Sequence, residues 1–215
     1  ENREKIKAII NSVTYLGKQN IALRGHRTEA ELIESSSINE GNLRELIRYR
    51  IETCGDDLKL KHHFESASAR TKYISPSIQN EIITCCGDEI LSGIVESAKK
   101  SKFYSIIFDE TTDISTTSQM SIVLRYLDDA NNIKEDFIGF LDCHKENYDD
   151  FTHEPVLTGQ ILGQTVVNFI KKIGLPMENC IGIGTDTCSV MLSNQKGAVS
   201  EIQKTTKNAI KCPCY

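Results

Sequence analysis

The sequence predicts an α/β chain, with an N-terminal helical region over residues 1–101 and then a mixed sheet in the order β-β-β-α-β-α-β over residues 102–215. Three observations predict it. Apolar residues recur three and four positions apart through the first hundred residues, the period of amphipathic helices. The period changes at Phe103, where five of the seven residues to Asp109 are strongly apolar before the chain turns acidic. Beyond that, alternating runs and one further helical run follow each other between turn signals.

The elements follow in order. Residues Asn2 to about Leu23 carry Ile6, Ile9, Ile10, Val13 and Leu16 at helical spacing, and Leu23-Arg24-Gly25-His26-Arg27 breaks the pattern. Glu34 to Gly41 is polar and serine-rich, the composition of a loop. Asn42 and Glu45 resemble a capping box ahead of Leu43, Leu46, Ile47 and Ile51, with Gly55 near the helix end. Lys59 to Tyr73 is polar and weakly patterned. Ser75-Pro76 reads as an N-cap and a first-turn proline, opening a helix that runs to about Lys99 with Ile82, Cys86, Ile90, Ile94 and Ala98 at a spacing of four. The basic run Lys99-Lys100-Ser101-Lys102 suits its C-terminal dipole.

A strand is expected from Phe103 to Asp109, delivering the Asp109 carboxylate at its end. Ser118 to Leu127 alternates, with Met120, Ile122, Leu124 and Tyr126 on one face. A turn over Asp128 to Asn132 leads into Ile133 to Cys143, where Ile133, Phe137 and Leu141 share a face, so the three strands read as an antiparallel meander. A loop from His144 to Leu157 precedes a helix that Thr158 starts and that Gly174 and Pro176 stop. Asn179 to Asp186 reads as a short buried strand ending in a second carboxylate. Val199 to Lys204 is a helix, and Ala209 to Tyr215 a last strand cut short.

Composition bounds the function. With 215 residues, 39% hydrophobic and 26% charged, the chain can bury a core. The net charge of -5 argues against a stand-alone DNA-binding domain, because phosphate neutralisation needs local basicity. No apolar run approaches the about 20 residues of a membrane span, and no membrane association is expected. The first residues, Glu1-Asn2-Arg3-Glu4-Lys5, lack a signal-peptide hydrophobic region and an initiator methionine, so a fragment is expected. The eight cysteines show no C-x-x-C spacing and read as reduced, mostly buried thiols; Cys143-His144 and the pair Cys212, Cys214 lack further zinc ligands at usual spacings. The five histidines, His26, His62, His63, His144 and His153, are scattered and read as surface or capping residues.

Asp109 and Asp186 are the candidate site. If the strands that end in them are neighbours, the two carboxylates approach and suit a hard cation such as Mg²⁺ or Mn²⁺. The bland alternative is that each is a turn or helix cap. Two other motifs fail on their residues. Asp109-Glu110-Thr111 lacks the second acid of a phosphate-transferring Asp-x-Asp site, and Gly182-Ile183-Gly184 meets Thr187 where a dinucleotide fingerprint needs its third glycine.

Several separated motifs carry a resemblance over essentially the whole chain: Ile21-Ala22-Leu23-Arg24-Gly25-His26, Tyr73 to Glu81, Phe108 to Ser115, Leu124-Arg125-Tyr126 and Glu135 to Phe140. In these the chain resembles hAT-superfamily transposases and, more narrowly, the domain of unknown function of zinc-finger MYM-type 1-like, transposase-derived proteins. The resemblance implies an RNase H-like fold, C-terminally truncated here, with Asp109 as first acid and Asp186 as second, both metal-binding. It implies a third acid, a glutamate, beyond Tyr215, so the chain alone is expected to perform no strand transfer. It also implies a nuclear protein that meets DNA through a zinc finger outside this chain and dimerises through a region C-terminal to it. Around Asp186 the sequence departs from the family's Asp-Gly-Ala-x-Asn-Met: Thr187, Cys188 and Val190 stand in place of Gly, Ala and Asn, while Met191 matches. These departures point to decay, or to domestication as a DNA- or protein-binding regulator without nuclease activity.

Overall fold

The computed structural model of the chain describes residues 2–25, 40–53, 58–67, 72–112, 118–143, 157–206 and 208–214. Of the features read from sequence, Gly55, Asp113, His26, His144, His153 and most of the two loops at 34–41 and 144–157 lie outside them. The chain forms two compact units, Glu1–Glu89 and Ile90–Tyr215.

The first unit is helical. Helix α1 (Asn2–Lys18) buries Ile9, Val13 and Leu16 against α2 (Asn42–Thr53), which contributes Leu43 and Ile47. α1 ends at Lys18, short of the expected Leu23, with Asn20 in a left-handed conformation (φ 54°). The expected capping box does not form. α2 begins at Asn42 itself, whose side-chain amide donates to the Ala22 carbonyl at 2.7 Å, while the Glu45 carboxylate pairs with Arg48 one turn on. Glu40, 2% exposed, also accepts from Arg44 at 3.2 Å and from Arg48 at 2.6 Å, so three charges share their desolvation.

The stretch read as weakly patterned holds a helix, α3 (Leu58–Ser66). Its signal is short: Leu60 and Phe64, four apart, are both buried, and one lysine and two histidines between them hide the stripe. His63 is only 4% exposed, stacked on Tyr73 with ring centroids 5.8 Å apart, so it is a core histidine and not the expected surface one. Helix α4 (Pro76–Ser101) starts as read, with the Ile78 amide donating to Ser75 Oγ at 3.4 Å, and runs unbroken for 26 residues. Lys102 closes it in a left-handed conformation (φ 68°), its amide donating to the Lys99 carbonyl.

The second unit is built on a five-stranded sheet of order β3-β2-β1-β4-β5. Strands β1 (Tyr104–Thr112), β2 (Ser118–Leu127) and β3 (Ile133–Asp142) form the expected antiparallel meander. After α5 (Gly159–Lys172) and a 3₁₀ turn at Met177–Asn179, strand β4 (Cys180–Thr185) pairs parallel with β1. The short α6 (Ser189–Leu192), missed in the sequence, and α7 (Ala198–Gln203) lead to β5 (Ile210–Pro213), parallel to β4. The mixed α/β order read from the sequence is the observed one.

One sheet face is packed. Tyr104, Ile106 and Phe108 of β1, the even-numbered residues Met120 to Tyr126 of β2, and Ile183 of β4 meet Leu162, Val166 and Ile170 of α5, Val199 and Ile202 of α7, and Val95 and Ala98 of α4. Tyr104 also satisfies its hydroxyl, which donates to the Pro176 carbonyl at 3.1 Å. On β3 the expected face is wrong. The register slips between Ile122 and Val123, so Gly139 faces Ile122 and Phe137 faces Val123. Ile138 is the extra residue of this bulge, and residues on either side of it trade faces. Leu141 and Ile138 are buried, whereas Ile133 and Phe137 are exposed, and Phe137 pairs with exposed Phe140 at a centroid distance of 4.8 Å.

The core carries an alkaline limit. Burial pushes the Cys180 and Cys143 thiols from 9.0 up to about 11, with Glu110 and Asp142 adding to Cys143. Burial and the hydrogen bond to Asp136 push Tyr126 from 10.0 up to about 12. All three folded values exceed the unfolded ones, so the neutral forms are held by the fold. Their stability is complete below pH 9 and is lost as pH rises through about 11 to 12. Urea unfolding from pH 7.5 upward is expected to show this decline, at the limit about 3 kcal/mol per thiol. Cys180→Ala removes its share, and an unchanged slope in that variant would contradict the assignment.

Candidate functional site

The uncovered face of the sheet holds a pocket of about 560 Å³, lined by residues of β1, β2, β3, β4 and β5 and of the segments that follow β4 and β5. Asp109 and Asp186 both line it. Their placement follows from register. β1 and β4 run parallel with Ile107 beside Gly184, and each aspartate follows two residues further along its own chain segment, Asp186 one residue past the end of β4. Alternation puts Asp109 on the face opposite Phe108, away from the packed core, and Asp186 lines the same pocket.

The two acids are held differently. The expectation that β1 ends at Asp109 is corrected: the strand runs on to Thr112, and Asp109 is paired within it, opposite Ser121. The reason is the neighbouring strand, whose Ser118 to Met120 continue the ladder opposite Thr112 to Glu110. Ser121 Oγ also donates to the Asp109 carbonyl at 3.3 Å. The Asp109 side chain is exposed, with no hydrogen-bond partner among the described residues. Asp186 lies just past β4, as read, and is half-buried. Its Oδ1 is buried without a hydrogen-bond partner, as is the adjacent Thr185 Oγ1. Desolvation and the Asp186 carboxylate both raise the Cys188 thiol at the start of α6.

A buried carboxylate oxygen left unpaired is costly unless something else coordinates it. Two carboxylates on adjacent strands form an all-oxygen donor set of the kind that suits Mg²⁺ or Mn²⁺, which retain several waters of their own. Asp109 and Asp186 are the residues that would hold such an ion. Among the described residues no group of three or more His, Cys, Asp or Glu side chains is placed to hold a metal.

The floor of the pocket is backbone. A Cβ on Gly182 would lie 2.6 Å from Ser105 Oγ, and one on Gly184 would lie 3.3 Å from Ile107, so side chains there would fill the space. Of the lining residues only Asp109 and Asp186 were read from the sequence as site residues; the charged pair Arg125 and Glu135 and the thiols Cys212 and Cys214 are among those that were not. Arg125 faces Glu135 across β2 and β3 and pairs with it. Counting back from the hairpin turn at Asp128 to Asn132 would have found that pair, since Leu127 faces Ile133 and the register then steps by two. The cysteines are less buried than expected. Of the seven described, all free, Cys143 and Cys180 are buried, while Cys85, Cys188, Cys212 and Cys214 are exposed.

Comparison with known proteins gives the following. Residues 1–197 match the family described as DUF4371: ZMYM1/FAM200, RNase-like domain. The chain is 29% identical over all of its 215 residues to the human protein named 52 kDa repressor of the inhibitor of the protein kinase. It is 28% identical over the same length to the mouse protein of that name. It spans about a quarter of each, 26% of their length. No solved structure matches. No described helix is long and apolar enough to cross a membrane.

Proposed function

Since the chain belongs to the family of ZMYM1/FAM200 RNase-like domains, we propose that it is a partial transposase core of hAT type. In this reading it keeps a divalent-cation site at Asp109 and Asp186 and performs no strand transfer by itself. The observation that carries this is a pair of carboxylates lining one pocket, Asp109 within β1 and Asp186 just past the parallel β4, the second with a buried oxygen left without a hydrogen-bond partner. Asp109 and Asp186 bind and orient, and the glycine floor lets a ligand approach the main chain. A bound Mg²⁺ or Mn²⁺ would supply charge stabilisation at a phosphodiester and an activated water. Two acids alone leave that set incomplete, and Thr187, Cys188 and Val190 crowd or depolarise the surroundings of the second.

A second reading is a domesticated nuclear regulator that uses the fold to bind DNA or protein. The names of the human and mouse relatives, both called repressors, favour it. Both readings place the whole protein in the nucleus. In both, its zinc-finger contact with DNA and its dimerisation would draw on regions outside this chain.

Calorimetric titration of MgCl₂ and MnCl₂ into the chain tests the site. Binding heat is expected for the parent and is expected to vanish in both Asp109→Asn and Asp186→Asn. Equal heat in all three would remove the cation site. Cleavage of a DNA substrate that depends on both acids would instead overturn the inactive reading.

A further inference from the structure

Asp109 and Asp186 occupy one end of the pocket, and at the other end stands a charged pair of a different kind. Arg125 is opposite Ser105 on β1, while Asp109 is opposite Ser121, so four residues of β2 separate the two levels. At strand rise this is about 13 Å along the sheet. Arg125 is the one cation among the described residues lining the pocket, which the carboxylates of Asp109, Glu135 and Asp186 also line. Its guanidinium is bonded to Glu135, and the two side chains are 46% and 49% exposed. A pair so open to water contributes little net stability, so another anion can take its place.

We propose that Arg125 is a phosphate contact of this pocket and that Glu135 is its built-in competitor, released when a DNA strand lies across the sheet face. The separation selects the ligand class. An arginine side chain covers only part of 13 Å, so Arg125 and the two acids cannot serve one phosphate. A ligand that engages both ends must carry phosphates at intervals, as a polynucleotide does and a mononucleotide does not. Between the ends, Ile107, Gly182 and Gly184 offer a floor without charge. A guanidinium can match a phosphate as a planar fork, two N–H groups to two oxygens, whereas it now donates to Glu135 through one N–H group, Nη1 to Oε1. Arg125 is thus a positioning residue for the flanking backbone and touches no reacting atom.

This assignment rests on the reading that the pocket takes nucleic acid at a cation held by Asp109 and Asp186. The test is fluorescence anisotropy of a labelled single-stranded DNA oligonucleotide with the full 215-residue chain, in MgCl₂ and in EDTA, across a salt series. Arg125→Gln is expected to weaken binding roughly tenfold, the loss of one charged hydrogen-bonded contact, and to reduce the slope of log K against log salt by about 0.7. Glu135→Gln is expected to tighten binding about threefold by removing an exposed competitor. Arg125→Lys keeps the charge without the fork and should recover the slope but not the affinity. Binding by Arg125→Gln equal to the parent overturns the proposal, as does a Glu135→Gln variant that weakens in step with it, or a parent chain that binds no oligonucleotide. The two readings fail separately. Absent metal heat with the opposed Arg125 and Glu135 effects intact in EDTA would remove the cation site and leave Arg125 standing.

Discussion

Gly159→Ala is expected to destabilise the sheet-containing unit by about 3 kcal/mol, the upper end of overpacking costs. Gly159 is buried as the first residue of α5, with Thr158 as N-cap accepting from the Ile161 amide. A methyl there would meet the Val190 carbonyl, the Lys196 carbonyl and the Ala198 amide, all closer than 3.0 Å and all main chain. Main chain cannot rotate away as a side chain does, so α5 must lift from the α6–α7 segment. A Cβ on Gly163, one turn on, would lie 2.6 Å from the Ala198 carbonyl oxygen, which repeats the constraint. The contrast is Gly93 in α4, which has nothing within 4 Å of its would-be Cβ. There Gly93→Ala should raise stability by about 1 kcal/mol through helix propensity. Urea denaturation of the three proteins decides the matter, and losses of similar size at both positions would show that close approach is not the cause.

Phe108→Ala is expected to lower stability by about 4 kcal/mol, the sum of lost transfer energy and an unfilled cavity. Phe108 is 1% exposed and lies in the core shared by β1, β2 and α5. Its strand neighbour Ile107 faces the pocket and is half-buried, so Ile107→Ala should cost well under half as much. The pair tests the alternation that aims Asp109 into the pocket: the same strand must give large and small effects at successive residues. Equal losses would mean that β1 is buried on both faces and that Asp109 is not where the pocket needs it.

Local pattern was enough for the elements whose period is undisturbed. β2 alternates without interruption, and Ser75-Pro76 and Gly174 mark helix ends by their own chemistry, Gly174 with φ +78°. The pattern failed where one residue shifts it. Ile138 adds a bulge to β3, and every face assigned across it by counting in twos is reversed. It failed again in α3, where the stripe is two residues long, and at Asn42, where a side chain finds the Ala22 carbonyl in place of its own helix. The site was half legible. Each aspartate announces itself by following an apolar run, but their meeting depends on β1 and β4 being adjacent, which no local signal carries. Arg125 and Glu135 were passed over as a pair for the opposite reason: each is ordinary alone, and only the hairpin register brings them together.

Asp109 is exposed, and the ladder that fixes its position uses main-chain groups that any residue supplies. Asparagine or serine there would leave the sheet intact, so folding exerts no selection on this acid. At Gly159 the reverse holds, since almost any replacement is removed by misfolding whatever the protein does. The two positions thus keep separate time. Among relatives of this chain, divergence at Asp109 would date the loss of the proposed cation site, and divergence at Gly159 the loss of the fold itself.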